Sequence, residues 1–232
     1  YWNVNKQSAH LLDEIRQAFM EGNQEKAEML TRQNFNSEVS YDADGETPFR
    51  FGSFTTMGEF YVETGLNIIG MSDYKRILSL DSAMAVVQFK KDYVAYQRNY
   101  FISYPANVMV MRFSADQPGK QNLVFSYAPN PVSTGNMASD GNKGLVYSAS
   151  LDNNGMKYVV RIQAETKGGT LSNADGKLTV KGADEVVFYI TADTDYKPNF
   201  DPDFKDPKTY VGVNPEETTK EWMNNAVSQG YT

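Results

Sequence analysis

The fold of this chain is decided by residues 74–116, YKRILSLDSAMAVVQFKKDYVAYQRNYFISYPANVMVMRFSAD. Runs rich in Val, Ile, Tyr and Phe alternate there with short groups of turn residues, a pattern typical of consecutive β-strands. The predicted strands are residues 74–80, 84–89, 94–103 and 108–113. A turn at 90–92 and a Pro-containing break at 104–107 separate the last three. Strands so closely spaced favour antiparallel pairing in a sandwich over βαβ units.

The same pattern continues on both sides of this stretch. Further strands are predicted at residues 59–64, 122–128, 145–151, 156–165, 177–181 and 185–192, with a short one after Gly168-Gly169. Asn154-Gly155 predicts a tight hairpin turn. Residues 129–142 contain Pro131, Gly135 and Gly141, and they are predicted to form a weakly structured loop.

Helices are predicted near both ends of the chain. Residues 8–22 carry an apolar stripe behind Ser8 as N-cap, and Asn23 is predicted to cap a second helix over 24–33. Asn214-Pro215 has the form of a helix start and predicts a helix over 216–227. Residues 34–54 form a long polar loop, and loops of this length are typically functional, docked on a neighbour or mobile.

Composition excludes several classes of protein. The hydrophobic fraction is 41% and the aromatic fraction 13% over 232 residues, which indicates a folded body with a sizeable core. A net charge of −7 argues against a nucleic-acid partner, because phosphate binding needs clustered Lys and Arg. The apolar runs are shorter than the roughly 20 residues of a membrane helix, so no membrane insertion is expected. The chain has no Cys, which excludes disulfides and zinc-thiolate sites.

Several segments, taken in order, carry a family resemblance. They are TMGEF at 56–60, YKR at 74–76 with LDSA at 80–83, YQRNYFISYP at 96–105, RFSAD at 112–116, and GAD at 182–184 with TADTDY at 191–196. Together they resemble the N-terminal β-sandwich domain of glycoside hydrolase family 95, the α-L-fucosidase family. The resemblance spans most of residues 56–196.

This resemblance implies a mainly β fold, a large antiparallel β-sandwich of the galactose-mutarotase-like supersandwich type with a few peripheral helices. Residues 1–232 would form a single N-terminal domain of a larger glycoside hydrolase, with the sandwich core at about 56–196. The catalytic groups of the family lie in an (α/α)6 barrel that the chain lacks, so no catalytic residue is predicted. The implied partners are that barrel and the glycan substrate of the parent enzyme. The implied location is periplasmic or extracellular in a bacterium.

Two sets of aromatic residues are candidate sites. Aromatic faces suit the apolar faces of pyranose rings, and a candidate sugar platform comprises Tyr93, Tyr96, Tyr100, Phe101 and Tyr104. Tyr96 and Tyr100 are the preferred carbohydrate-binding candidates, although evenly spaced aromatics on a strand more often pack across strands. Candidates for an interface with the barrel are Phe49, Phe51, Phe54 and Tyr196. An independent carbohydrate-binding module is the alternative function, and a chain that is catalytic by itself is a third.

The sequence predicts structural roles for the remaining polar residues. A metal site or a catalytic dyad at His10 would need further residues that the sequence does not identify, so a solvated or packing role is predicted for it. Two possible functions of the aspartate-rich segment are a calcium site and a glycosidase carboxylate pair, formed by Asp193, Asp195, Asp201, Asp203 and Asp206. A solvated, stiff connection is the preferred interpretation of that segment. Structural ion pairs with Asp81 or Asp116 are predicted for Arg76, Arg98 and Arg112. No metal and no cofactor are predicted.

Overall fold

The computed structural model describes residues 8–35, 55–152, 155–199 and 210–231. The backbone divides into two compact units, Tyr1–Phe54 and Thr55–Thr232. The described part of the first unit contains a 3-10 helix at Ser8–Leu11, α1 at Leu12–Met20 and α2 at Gln24–Phe35. None of the helices in the described ranges is long and apolar enough to cross a membrane.

In the first unit, α1 and α2 pack on each other through the buried side chains of Ile15, Ala18 and Ala27. The predicted cap of α2 is confirmed, because the side-chain oxygen of Asn23 accepts a hydrogen bond from the Lys26 amide at 3.1 Å. The helix predicted over residues 8–22 differs from the structure, which is α-helical only in α1. Its first turn is 3-10, the tighter winding that is frequent at helix ends.

The second unit is built almost entirely from strands. In its described part the strands are β1 (Gly58–Glu63), β2 (Ser72–Ser79), β3 (Met84–Lys91), β4 (Val94–Ser103), β5 (Val108–Ala115), β6 (Gln121–Pro129), β7 (Ser133–Asp140), β8 (Gly144–Leu151), β9 (Lys157–Lys167), β10 (Thr170–Ala174), β11 (Lys177–Ala183) and β12 (Glu185–Thr194). One helix follows them, α3 (Pro215–Gln229). The four strands predicted within residues 74–116 are therefore present as β2 to β5.

These strands pair antiparallel in two sheets, a large one in the order β2-β3-β4-β5-β12-β9-β8-β7 and a small one in the order β1-β6-β11-β10. The sheets stack face to face around a core in which Phe125 and Phe188 are fully buried, with ring centroids 4.6 Å apart. We call the side of the large sheet that faces this core its inner face and the opposite side its outer face. The predicted large antiparallel β-sandwich with few helices is confirmed.

Helix α3 covers part of the outer face. Its residues Met223 and Ala226 pack on Val187 and Tyr189 of β12, and all four are buried. The predicted helix start is confirmed, because the Asn214 side chain accepts a hydrogen bond from the backbone two residues on, with Pro at the first helical position.

Residues 129–142 were predicted as a weakly structured loop, and this prediction is wrong. Strand β7 lies within them and pairs with β8 along its whole length. It is an edge strand, and of its large apolar side chains only Met137 packs against the core. A strand held mainly by backbone hydrogen bonds lacks the apolar alternation by which strands are recognised in a sequence.

Candidate functional site

A cleft of about 620 Å³ opens on the large sheet, at the end where β2 and β4 begin. Four of its residues are direct cross-strand neighbours, one each from β2, β3, β4 and β5: Lys75, Gln88, Gln97 and Ser114. Direct neighbours lie on the same face of a sheet, which for these four is the outer face. The cleft extends beyond this row to the residues Asp73, Lys90, Ala95 and Asp116.

The cleft is deep at Ala95, because this residue has the smallest side chain of its outer-face lining. Ala95 pairs with Lys90 on one side, and on the other its amide donates to a side-chain oxygen of Asp116 at 2.9 Å. A methyl group thus lies between two longer side chains.

A row of amide side chains crosses the outer face from the cleft. Nε2 of Gln88 donates to Oε1 of Gln97 at 2.9 Å, and Nε2 of Gln97 donates to Oδ1 of Asn99 at 2.9 Å. Asn99, which is buried, donates in turn to the sulfur of Met84 at 3.1 Å. These bonds fix the orientation of each amide. An amide nitrogen carries two N–H donors, and the row uses one of them on each side chain.

The charges of the cleft balance. Asp73 and Lys90 form an ion pair with 2.9 Å between Oδ2 and Nζ. The hydrogen bond and the charge of Lys90 lower the pKa of Asp73, and Asp73 raises the pKa of Lys90 in the same way. With Lys75 and Asp116 the lining holds two cations and two anions, so its formal net charge is zero.

The turn that leads into the cleft strand β4 has unusual backbone geometry. Asp92 and Tyr93 form the two-residue loop between β3 and β4, and their φ angles are 51° and 62°. Such a turn favours Asn-Gly, because both residues adopt left-handed backbone angles. The side chain of Gln117, next to the cleft residue Asp116, donates to the carbonyl of Tyr93 at 3.2 Å. Tyr93 is 98% exposed, so this turn presents an aromatic ring to solvent.

The two tyrosines predicted to bind carbohydrate are engaged with aromatic neighbours. The ring of Tyr96 stacks on that of Phe89 with centroids 5.1 Å apart, and burial raises the pKa of Tyr96. The ring of Tyr100 lies edge-on to Phe113 at 6.1 Å. Tyr96 also lines the cleft, whereas Tyr100 does not. Sugar binding by these two residues stays a prediction.

The other predicted residues lie elsewhere. Phe49, Phe51 and Phe54, and most of the 34–54 loop, fall outside the described residues. Tyr196 is 53% exposed and stacks on Tyr210 at 5.7 Å, and its role at an interface stays a prediction. His10 lies in the 3-10 helix of the first unit.

The aspartate segment is only partly described. Asp195 is buried and accepts a hydrogen bond from the Lys157 amide at 2.9 Å, which ties the end of β12 to the start of β9. Asp193 accepts from the neighbouring Thr194 amide at 2.8 Å. The candidates Asp201, Asp203 and Asp206 lie outside the described residues. Within the ranges that the structure describes, no three His, Asp or Glu side chains are grouped to hold a metal ion.

The arginines pair differently from the prediction. Arg112 forms its ion pair with Glu185 of β12 at 2.5 Å, which raises the pKa of Arg112. Arg98 lies over the ring of Phe89 at 5.1 Å. Asp116, a predicted partner, instead holds the Ala95 amide. Sequence alone does not indicate which strand becomes the neighbour of β5, and here that strand is the distant β12.

A second cleft of about 340 Å³ lies where α3 begins, beside β8 and β9. Its Glu216 accepts hydrogen bonds from Ser148 and, at 3.1 Å, from Arg161. Arg161 is 6% exposed and is also paired with Asp140. These contacts hold the start of α3 on the sheet, so they are explained by the fold.

Apart from Tyr96, the residues of the larger cleft were not predicted from the sequence as binding residues. Their signal is present in it, because polar residues recur at every second position of two strands: Gln88 and Lys90 in β3, and Gln97 and Asn99 in β4. Alternation of this kind marks a solvated strand face. It does not by itself indicate that four such faces adjoin to form a cleft.

A model of the family described as "Glycosyl hydrolase family 65, N-terminal domain" matches residues 2–199. The chain belongs to this family. The predicted kind of domain, the N-terminal sandwich of a glycoside hydrolase, is confirmed, and the matching family carries the number 65 rather than 95.

Two proteins and one solved structure resemble this family 65 N-terminal domain. "Probable alpha-fucosidase A" of Aspergillus niger is 28% identical over 198 residues, which cover 81% of the chain and 24% of that protein. "Alpha-L-fucosidase 2" of Arabidopsis thaliana is 26% identical over 168 residues, which cover 59% of the chain and 18% of that protein. A solved structure titled "Putative kojibiose phosphorylase from human microbiome" aligns with a TM-score of 0.43 at 11% identity, covering 74% of the chain and 24% of that structure. The chain thus spans a quarter or less of these curated relatives.

Proposed function

We propose that this chain is a non-catalytic N-terminal domain of a larger glycoside hydrolase that acts on α-L-fucosides. Its role is to support the catalytic (α/α)6 barrel of the parent. The family membership and the fucosidase names of the two relatives support the proposal. The chain corresponds to 24% of one relative and 18% of the other, so each relative has ample length for a catalytic domain outside the matched part.

The observation that carries the supporting role is an exposed apolar surface. Leu78 of β2 and Ile102 of β4 lie on the inner face of the large sheet, yet they are 70% and 71% exposed. Leu80 and Tyr104, which follow these two strands at the same end of the sheet, are 83% and 89% exposed. We call these four residues the apolar patch. Apolar residues grouped in this way on a surface are typical of contacts with another protein or domain.

The proposal is tested by measuring free fucose. The 232-residue chain and the complete parent protein are incubated separately with a 2-linked fucosyl oligosaccharide. We expect release by the parent and none by the chain alone, because the catalytic groups belong to the absent part. Release by the chain alone would assign catalysis to it and contradict the proposal. Failure of the parent to release fucose would contradict the proposed substrate.

The periplasmic or extracellular location is also a proposal, and it rests on the resemblance to secreted hydrolases. Fractionation of cells that make the parent protein, with detection by an antibody against this domain, tests it. Recovery in the cytosolic fraction would contradict it. The alternative role is that of an independent carbohydrate-binding module, which predicts measurable oligosaccharide binding by the isolated 232-residue chain.

A further inference from the structure

We propose that the outer-face cleft, together with Tyr93 of the nearby β3–β4 turn, binds a neutral oligosaccharide. The site comprises the cross-strand row Lys75, Gln88, Gln97 and Ser114. The charged residues Asp73, Lys90 and Asp116 and the small side chain of Ala95 complete it. This site is separate from the apolar patch. The patch lies on the inner face at the end of β2 and β4, whereas the cleft lies on the outer face where these strands begin.

The chemistry of the cleft matches a polyhydroxylated ligand. A sugar hydroxyl both donates and accepts hydrogen bonds, so it is best held by groups of both kinds. The amides of Gln88 and Gln97 supply both and are held in fixed orientations by their mutual bond of 2.9 Å. Orienting these groups before binding reduces the entropy lost on binding.

The charge balance of the cleft decides between ligand classes. Two lysines and two aspartates line it, and one pair of them is already joined at 2.9 Å. An anion such as a phosphate or a sulfated glycan would meet as many negative as positive side chains. A neutral ligand avoids this repulsion and accepts hydrogen bonds from Lys75 while donating to Asp116.

Tyr93 provides the second, independent observation. A bulky residue with φ of 62° is a backbone outlier that costs free energy, and glycine would remove the strain. A side chain 98% exposed gains no compensating burial in the fold. The hairpin sets this backbone angle but does not require a tyrosine there, and backbone strain of this kind is found at ligand sites as well as in turns. An exposed aromatic beside polar groups presents a flat apolar face, which suits the apolar face of a pyranose.

The test is calorimetric titration of the 232-residue chain with two neutral probes, a 2-linked fucosyl oligosaccharide and the same oligosaccharide without fucose. A sulfated oligosaccharide serves as the charged comparison. The variants are Tyr93→Gly, which removes the ring and relieves the turn, and Gln97→Met, which keeps the side-chain length without its amide. Tyr61→Ala is the control, because it removes a half-exposed tyrosine from β1 of the small sheet, away from the cleft.

We expect a neutral probe to bind at concentrations up to about 10 mM. Tyr93→Gly and Gln97→Met should each weaken binding by about tenfold, while Tyr61→Ala leaves it unchanged. Tyr93→Gly should at the same time raise the melting temperature, a result that a purely structural role of the ring would not give. Binding to both neutral probes or to either one supports the proposal.

Three results would overturn it: no binding of either neutral probe, tighter binding of the sulfated probe, or unchanged affinity in Tyr93→Gly. None of the three bears on fucose release by the parent, so failure of the cleft proposal and failure of the proposed function are distinguishable.

Discussion

At the scale of single residues, Tyr189 illustrates how burial changes the chemistry of a side chain. It is 2% exposed beneath α3, and its hydroxyl donates to Glu165 at 3.3 Å. Burial, followed by the neighbouring carboxylate, raises the pKa of Tyr189 to about 12. In the unfolded chain a tyrosine loses its proton near pH 10. The unfolded state therefore ionises first, and the folded state loses stability as the pH rises from about 10 to about 12.

We predict that Tyr189→Phe reduces this alkaline loss of stability. From about 1.4 kcal/mol per pKa unit, the wild-type loss assigned to Tyr189 is of the order of 2 kcal/mol in the free energy of unfolding. The variant has no proton to release, and at pH 7 it forgoes one hydrogen bond worth about 1 kcal/mol. Urea unfolding at pH 7, 9, 11 and 12 measures both effects. An identical dependence on pH in the two proteins would show that other groups cause the alkaline loss.

At the scale of elements, Gly135 determines how closely β7 approaches β8. A Cβ atom at this position would lie 2.4 Å from Cβ of Ala149 and 2.5 Å from the carbonyl oxygen of Ser148. Real contacts are never this short, so a side chain here would push the edge strand away from its neighbour. The glycine that suggested a loop in the sequence is therefore required for strand pairing.

We predict that Gly135→Ala destabilises the chain by about 1–3 kcal/mol, the usual cost of overpacking. The matched control is Asn136→Ala, at an exposed position of the same strand, with an expected change within about 0.5 kcal/mol. Urea unfolding gives the free energies, and hydrogen exchange should show faster exchange in β7 and β8 of the glycine variant. Equal stability of the two variants would contradict the close approach of these strands.

At the scale of the whole molecule, the apolar patch is the surface expected to contact the rest of the parent. We predict that the double variant Leu78→Lys, Ile102→Lys lowers the free energy of unfolding of the complete parent by roughly 2 kcal/mol or more, because it buries unpaired charge in the contact. In the isolated 232-residue chain both positions are largely exposed, and the change should stay within about 0.5 kcal/mol. Thermal and urea unfolding of the two proteins gives the comparison.

The control for the patch is Ile69→Lys, which adds charge at a residue that is 77% exposed and precedes β2, away from the patch. It should leave the parent and the chain alike unchanged. Equal effects of the double variant in the chain and in the parent would remove the patch as a contact surface and with it the main support for the scaffolding role.

Much of the fold could be predicted from local patterns. β2 to β5 and α3 were predicted from alternation and capping, because both signals reside in neighbouring residues. β7 was not predicted, because this edge strand buries few side chains and so lacks the apolar alternation of a strand. The partner of Arg112 also escaped, because β5 pairs with a strand some seventy residues later in the chain.

The sequence by itself therefore determined the class of the protein: a mainly β domain with the motifs of glycoside hydrolase N-terminal sandwiches. Only the tertiary structure decided which polar residues share a surface. Lys75, Gln88, Gln97 and Ser114 are ordinary solvated strand positions when taken one at a time. They become one cleft because four strands align in one register, and this register is set by backbone pairing and core packing across the whole sheet.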